Sequence, residues 1–528
     1  LCTTPGSASY DTEKCQGFRQ PMSFDKSAAL KESIRKLAKI TGGLEPGSLS
    51  SADICGADGS MCAHAERDVW KTTQAAAAEF NDSSSDCQFT TFVAYEYTAT
   101  PALTKIHRNV IFRNDQVPDL PISYVEEPDE KVLWRRLRDE CKLADTGCDV
   151  LAIPHNPNLS NGHLFTVEYD EGSSKAEQTE LAALRASMEP VMEIMQKKGD
   201  SECRNGLWNI LGGNDELCNW EKIRPATTED CITGTSNGAL MGEGCVSRLD
   251  YARYALAEGL NEKKRLGVNP YQFGFIGSTD THNATPGATE EWRSDIPDSR
   301  PNPLAGYNSG GMVAVWAEEN SREAIFSALR RREVFATSGP RIKMRLFAGD
   351  NLQADICSDP KRIEKAYRDG VAMGGVLSSP AISTKKNQPN SPDFLLTAIK
   401  DSGTETHPGN LLQRAQIIKA WTDPQGRIHQ AVHDIAGGQN DAAVDLNTCK
   451  TSGPGHRQFC VRWQDPAFDP DQDAVYYARV VENPSCRSAN WACALADEGE
   501  QPSWCDTLDP KRRVTQERAW SSPIWYQP

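Results

Sequence analysis

Histidines and carboxylates at the ends of apolar runs are the residues of this sequence best suited to chemistry. Glu96 nearly ends the run Thr90 to Tyr97, His155 directly follows Val150 to Pro154, and Asp280 and His282 directly follow Phe273 to Ser278. Each run predicts a strand, so all four residues fall at predicted strand C-terminal ends. In barrel enzymes that rim gathers catalytic groups, because the strands fix positions while the connecting loops vary. Asp280-Thr281-His282 in extended form projects its first and third side chains to one side, bringing a carboxylate and an imidazole toward a single ion. A mixed histidine and carboxylate set suits zinc, manganese or iron better than calcium, which prefers oxygen alone. Two ions a few ångströms apart would also benefit from a carboxylate that bridges them, a role Glu96 could fill. Taken singly, an Asp-x-His step is more often a turn or a cap, and a histidine after a strand is more often structural. It is the recurrence at three separate strand ends that points to a site.

Glu193, inside Val191-Met192-Glu193-Ile194, reaches the same rim by position. It is expected as a partner to a histidine, or as a ligand or proton acceptor. His163 lies in a loop beside Gly162 as a further candidate for facing substrate, whereas Glu318 and Glu319 are expected in solvent. His64, His407, His429, His433 and His456 lack such a setting and are assigned structural roles. No G-x-S-x-G elbow, phosphate-cradling G-x-x-x-x-G-K run or dinucleotide-binding glycine fingerprint occurs, which argues against serine hydrolase and nucleotide-driven chemistry.

The elements that must position these residues alternate between residues 88 and 340. Strands are predicted at Thr90 to Tyr97, Asn109 to Arg113, Val150 to Pro154, Pro190 to Met195, Phe273 to Ser278, Met312 to Trp316 and Val334 to Thr337. Helical spacing appears in Ala29 to Ile40, Arg67 to Phe80, Lys131 to Lys142, Val246 to Leu260 and Ser321 to Arg332, the last with a capped start at Ser321. This texture predicts an α/β domain over residues 1–340 with buried parallel strands. After residue 341, short alternating strands separated by Gly, Pro, Asp and Ser predict a β-sandwich-like accessory domain over residues 341–528.

A chain of 528 residues exceeds the usual size of one core, which agrees with two domains. Seventy-three acidic against 57 basic residues give a formal charge of −16, a field that repels phosphate backbones and argues against a nucleic-acid partner. A local basic pocket for a small anion stays open. No apolar run is long enough to cross a bilayer, and nothing in the sequence sets an oligomeric state. Seventeen cysteines fall largely in close couples: Cys2 with Cys15, Cys55 with Cys62, Cys141 with Cys148, Cys203 with Cys218, Cys231 with Cys245 and Cys449 with Cys460. Without C-x-x-C couples they read as disulfides rather than zinc ligands, and so as a periplasmic or secreted protein. Cys87, Cys357, Cys486, Cys493 and Cys505 remain unassigned. The opening Leu1-Cys2-Thr3-Thr4 is neither an initiator methionine nor a signal peptide, so an upstream segment is expected to have been removed or omitted.

Several long segments resemble a known family: Ala94-Tyr95-Glu96-Tyr97-Thr98, Ile106-His107-Arg108-Asn109-Val110, Ile153-Pro154-His155-Asn156-Pro157-Asn158, Gly277 to Asn283, Val334 to Arg341 and Leu411 to Trp421. Together they resemble the bacterial domain-of-unknown-function family 3604, which looks like a distant branch of the polymerase and histidinol phosphatase (PHP) metallohydrolases. The resemblance runs through the accessory domain. It implies a distorted (β/α) barrel of PHP type holding two or three divalent ions (Zn, Mn or Fe), with Glu96 bridging and His107, His155, Asp280 and His282 as further ligands. It also implies metal-activated water attacking a small anionic ester, a phosphate or related sulfate or phosphonate, with Arg108 and Arg341 as guanidinium forks for its oxygens and Glu193 nearby. Relatives begin with an H-x-H pair on the first barrel strand that this sequence lacks, so the ligand set is expected to be partial. The alternative expectation is a catalytically degenerate, metal-containing binding protein of the cell envelope.

Overall fold

The computed structural model describes residues 5–12, 15–16, 19, 52–166, 169–232, 234–282, 284–292, 308–350, 352–378, 391–496, 501–509 and 512–528. The helix expected at Ala29 to Ile40 lies outside them, as does most of the loop expected at 378–393.

In chain order the main elements are α1 (Ser60–Phe80), β1 (Ala94–Tyr97), β2 (Arg108–Phe112), α2 (Glu130–Leu137), β3 (Val150–Pro154), α3 (Lys175–Met188) and β4 (Val191–Gln196). There follow α4 (Ala252–Leu266), β5 (Gly274–Gly277), β6 (Met312–Val315), α5 (Arg322–Arg330) and β7 (Val334–Thr337). Beyond them lie β8 (Lys343–Gly349), α6 (Arg362–Asp369), β9 (Asp393–Ile399), β10 (Leu412–Thr422) and β11 (Ile428–Gly437). The chain continues through β12 (Gln458–Gln464), β13 (Ala474–Glu482), β14 (Arg518–Ser521) and β15 (Ile524–Gln527).

Local chemistry accounts for the helix boundaries. Ser321 caps α5 by accepting from the Ala324 amide, as its sequence suggests. Ser174 and Glu177 form a reciprocal capping box that starts α3, a helix the apolar spacing alone did not predict. The helix expected from Val246 begins later, at Ala252, because Ser247 and Asp250 close a capped turn of their own over Arg248–Asp250.

The fold is a mixed α/β arrangement, but among the described residues no sheet closes into a barrel. β1, β2 and β3 form a separate three-stranded sheet and pair antiparallel. Of the strands assigned to the barrel, only β4 and β5 pair in parallel. The link between β1 and β2 is too short for the crossover that parallel neighbours need. Apolar runs reveal burial but not direction, which is why the parallel reading of these strands fails.

A nine-stranded sheet forms the centre of the molecule, running Ile210–Leu211, β11, β10, β13, β14, β7, β6, with β15 pairing to β13 and to Val376–Ser378. β6 and β7 therefore share a sheet with strands from beyond residue 340, through β7 paired to β14. A four-stranded sheet of Gly370–Ala372, β8, β9 and β12 packs on one face, where Met344, Leu346, Phe394 and Leu396 meet Ile417, Tyr476 and Ala478. The alternate residues Ile418, Ala420, Val475 and Tyr477 point to the other face and pack with Ala255, Leu256 and Leu260 of α4. This face also holds a fully buried ionic network. Arg253 donates to Glu202 and Asp215, each at 2.7 Å, and Arg479 donates to the same two carboxylates at 2.8 and 2.9 Å. Trp520 Nε1 and the Tyr477 hydroxyl complete the shell of Glu202.

Seven disulfides join described cysteines: Cys55–Cys62, Cys141–Cys148, Cys203–Cys218, Cys231–Cys245, Cys357–Cys460, Cys449–Cys486 and Cys493–Cys505. Four of the expected couples form. The couple expected between Cys449 and Cys460 does not, because β12 carries Cys460 against Cys357. Cys15 is bonded, Cys2 lies outside the described residues, and Cys87 is a free thiol. This cysteine usage belongs to an oxidising compartment. No helix among the described residues is long and apolar enough to cross a membrane.

Candidate metal and anion site

β1, β2 and β3 position the first half of the site. β2 and β3 pair with Arg108 opposite Pro154, and the His155 amide continues the ladder by donating to the His107 carbonyl at 3.2 Å. His107 and His155 are thus cross-strand neighbours, with ring centroids 4.7 Å apart. Glu96, paired with Asn109 across β1 and β2, reaches diagonally to His107, whose Nδ1 lies 3.0 Å from Glu96 Oε1. Both imidazoles are buried, at 7% and 2% exposure. Burial lowers the His107 pKa, with the Glu96 carboxylate only partly opposing it. Burial first, then the neighbouring His107 ring and the charges of Lys105 and Lys198, pushes His155 well below the imidazole range. Neutral His107 donating Nδ1–H to ionised Glu96 leaves its Nε2 as an acceptor, and that Nε2 and both nitrogens of His155 have no hydrogen-bond partner among the described residues. For Glu96, burial would raise the pKa, but the hydrogen bond and charge of His107 outweigh it and hold the carboxyl low.

β4 and β5 supply the other half. The chain after β4 stays paired with the chain after β5, Lys197 N–H donating to the Thr279 carbonyl at 3.0 Å. Lys198 thereby meets Asp280 in a close ion pair, with side chains 13% and 20% exposed. Asp280 has φ of 49°, a left-handed conformation that Asp tolerates better than most residues, and one that often marks a functional turn. Burial would raise its pKa, but Lys198, with Lys105 and His282, holds its carboxyl below the usual range. His282 lies 3.5 Å from Asp280 and is 78% exposed.

Glu193 is fully buried beneath the site. Its Oε2 accepts from the Asn156 amide at 2.7 Å and from Gln196 at 3.0 Å, and its Oε1 accepts from the Ser278 hydroxyl. It fastens the turn after His155 to the residue after β5, and none of its described hydrogen bonds goes to a histidine. Burial pushes it up to about 7, so it holds a proton near neutrality.

The structure does not bring every expected residue here. Arg108 follows His107 on β2, so its side chain leaves by the opposite face and is wholly buried against Glu189 at 3.1 Å. It cannot clamp an ester at this site. Arg341 is exposed, its amide bonded to Asp401 at 2.7 Å, and none of its described contacts reaches the histidines. His163 bonds the Ser236 carbonyl at 3.0 Å. The cation that does pair with a candidate ligand is Lys198, against Asp280. Lys198 lies two residues beyond the end of β4, and Lys105 two residues before His107. Burial, then the charge of Lys198, lowers Lys105 to about 8, with Asp280, Glu96 and Glu193 opposing. No described hydrogen bond engages the Lys105 ammonium.

The donors fit a divalent cation of borderline softness: two neutral imidazoles with unpartnered nitrogens, one of them oriented by a carboxylate, and a second carboxylate close by. The five expected ligands do not form one closed shell. Among the described residues the one set of three potential ligand atoms within 4.8 Å of each other is Cys203, Asp215 and Cys218. There the two sulfurs are joined to each other and Asp215 belongs to the arginine network. A separate cavity of about 440 Å³, lined by Tyr169, Arg248, Glu258 and Arg265 among others, includes none of the candidate residues.

No curated protein and no solved structure matches the chain. A family model described as a protein of unknown function, DUF3604, matches residues 2–528. With these motifs inside a match of that extent, the chain belongs to the DUF3604 family.

Proposed function

We propose that this protein is a metal-dependent hydrolase, akin to the PHP metallohydrolases, that cleaves a phosphate ester or a related sulfate or phosphonate ester in the periplasm or after secretion. The observation that carries the reading is the buried pair His107 and His155, whose three ring nitrogens without a partner among the described residues are free to take a ligand. Glu96, His107, His155, Asp280 and His282 would hold two or three ions of zinc, manganese or iron, which supply Lewis-acid activation of water and ester. Glu96 fixes the His107 ring through Nδ1, and Glu193 fixes the His155 turn through the Asn156 amide. Glu193 also keeps a proton at hand beside the Ser278 hydroxyl.

Metal analysis of the purified protein, joined to turnover of chromogenic phosphate and sulfate esters, tests the proposal. Hydrolysis that is lost on chelation and in His155→Ala supports it. Turnover that survives chelation refutes it. A second reading, a metal-containing binding protein of the cell envelope, draws on the ion pair that already satisfies Asp280 with Lys198. Bound metal with no turnover of any ester favours that one.

A further inference from the structure

The cavity of about 440 Å³ that lies apart from the histidines is walled by charged and polar side chains whose places are set by the fold. One wall is α4, which carries Glu258, Glu262 and Arg265 within two turns. Arg265 donates to Glu262 from Nε at 3.0 Å and from a terminal nitrogen at 2.6 Å, the Tyr169 hydroxyl donates to the same carboxylate at 2.8 Å, and Gln178 of α3 accepts from Arg265. These four groups satisfy one another. A second wall is the turn Arg248–Asp250, pinned by the Ser160 hydroxyl and the Gly162 amide, each donating to Asp250 at 2.6 Å. Arg248, on that turn, is held far more loosely. It faces Glu258 at 3.7 Å, too far for a hydrogen bond, and its buried Nε has no partner among the described residues. The two side chains are 18% and 20% exposed, so both charges stand mostly out of water.

We infer that this cavity binds a small zwitterion, a free amino acid with a polar side chain, whose carboxylate takes Arg248 and whose ammonium takes Glu258. Two arginines and two glutamates line the cavity, so its formal charge is zero. A ligand that is only an anion would claim Arg248 and strand Glu258 as a half-buried charge without a counter-ion, and a ligand that is only a cation would strand Arg248. A molecule carrying both charges a few bonds apart pairs with each, and the guanidinium fork matches its carboxylate. Thr166, Tyr169, Gln178 and Ser247 supply polar lining, whereas Leu249 is the one aliphatic side chain among the described lining residues, which favours a polar ligand side chain over an aliphatic one. The volume suits a ligand of this size. None of these residues belongs to the histidine site, so the inference stands or falls independently of the hydrolase reading.

The test screens the full chain by thermal shift against the common L-amino acids, then titrates each binder calorimetrically beside its analogues lacking the amine or the carboxylate, with glucose as a neutral polyol. At least one polar amino acid is expected to bind with one-to-one stoichiometry and more tightly than leucine. Removing its amine or its carboxylate weakens binding roughly tenfold or more, the loss of one charge-assisted contact. Arg248→Met and Glu258→Gln each produce a loss of the same size, and Arg248→Lys, which keeps the charge but not the fork, recovers part of it. Melting curves of the unliganded variants confirm that each is folded. The inference is overturned if no amino acid binds, if binding is unchanged in both Arg248→Met and Glu258→Gln, or if glucose or the amine-free carboxylate binds as tightly as the zwitterion.

Discussion

The imidazole of His155 lies 4.7 Å from that of His107, centre to centre, and neither of its nitrogens is hydrogen-bonded among the described residues. Leaving a buried polar group unmade costs roughly 1–3 kcal/mol. Metal-free His155→Leu is therefore expected to melt no lower than the metal-free wild type, while its Mn²⁺ affinity falls by about tenfold or more. Calorimetry and a thermal scan check both halves, and a large loss of stability in the metal-free variant counts against a ligand role.

Arg479 joins Glu202 and Asp215 to the central sheet. Arg479→Met strands two buried carboxylates beside the remaining Arg253, and breaking such a network typically costs about 3–5 kcal/mol. Urea unfolding should show a lower midpoint of this size.

Burial, reinforced by the charge of Glu291, raises Glu517 from 4.5 to about 8 even though Ser338 donates a hydrogen bond to it. A carboxyl raised on folding keeps its proton longer in the native state, so its contribution is full below the ordinary value and declines as pH climbs through the folded one. The wild type should lose melting temperature between about pH 5 and about pH 9, and Glu517→Gln should flatten that slope. Equal slopes for the two proteins would contradict this assignment.

A Cβ on Gly277 would lie 2.9 Å from the carbonyl oxygens of Met312 and Thr337, both fixed in the backbone. Gly277→Ala must push β5 away from β6 and β7, at a cost of about 1–3 kcal/mol. Because Ser278 and Asp280 follow directly, Mn²⁺ affinity should fall along with the melting temperature.

Cys357 and Cys460 are separated by 103 positions in sequence. In the chain-entropy model a cross-link of that span stabilises by about 4–5 kcal/mol. The double variant Cys357→Ser with Cys460→Ser should unfold at correspondingly lower denaturant, with the candidate metal ligands undisturbed.

Some of this was legible in the sequence and some was not, for reasons that differ from residue to residue. Val150–Pro154 and Val334–Thr337 were readable as strands because short apolar runs between polar turns have few other fates, and His155 was readable because it follows the first of them. Strand direction was not readable, since a run buried on both faces looks the same whichever way its neighbour points. Arg108 was misplaced even though its neighbour His107 belonged to the site. Strand alternation sends adjacent side chains to opposite faces, so a single strand cannot offer both to one ligand. Lys198 lies two residues past β4, and a lysine carries no metal-donor signal, so its pairing with Asp280 is visible only in the fold. Cys449 was paired with its nearest neighbour in sequence, whereas its true partner, Cys486, is brought in by the strand β13 between them.

β14 is wedged between β7 and β13, pairing Ala519 with Thr337 on one side and with Val480 on the other. Until residues 518–521 take their place, both neighbours present bare edges and the nine-stranded sheet is split in two. Those unpaired edges are where self-association would begin, so a variant that weakens β14 is expected to aggregate before it loses the rest of its fold.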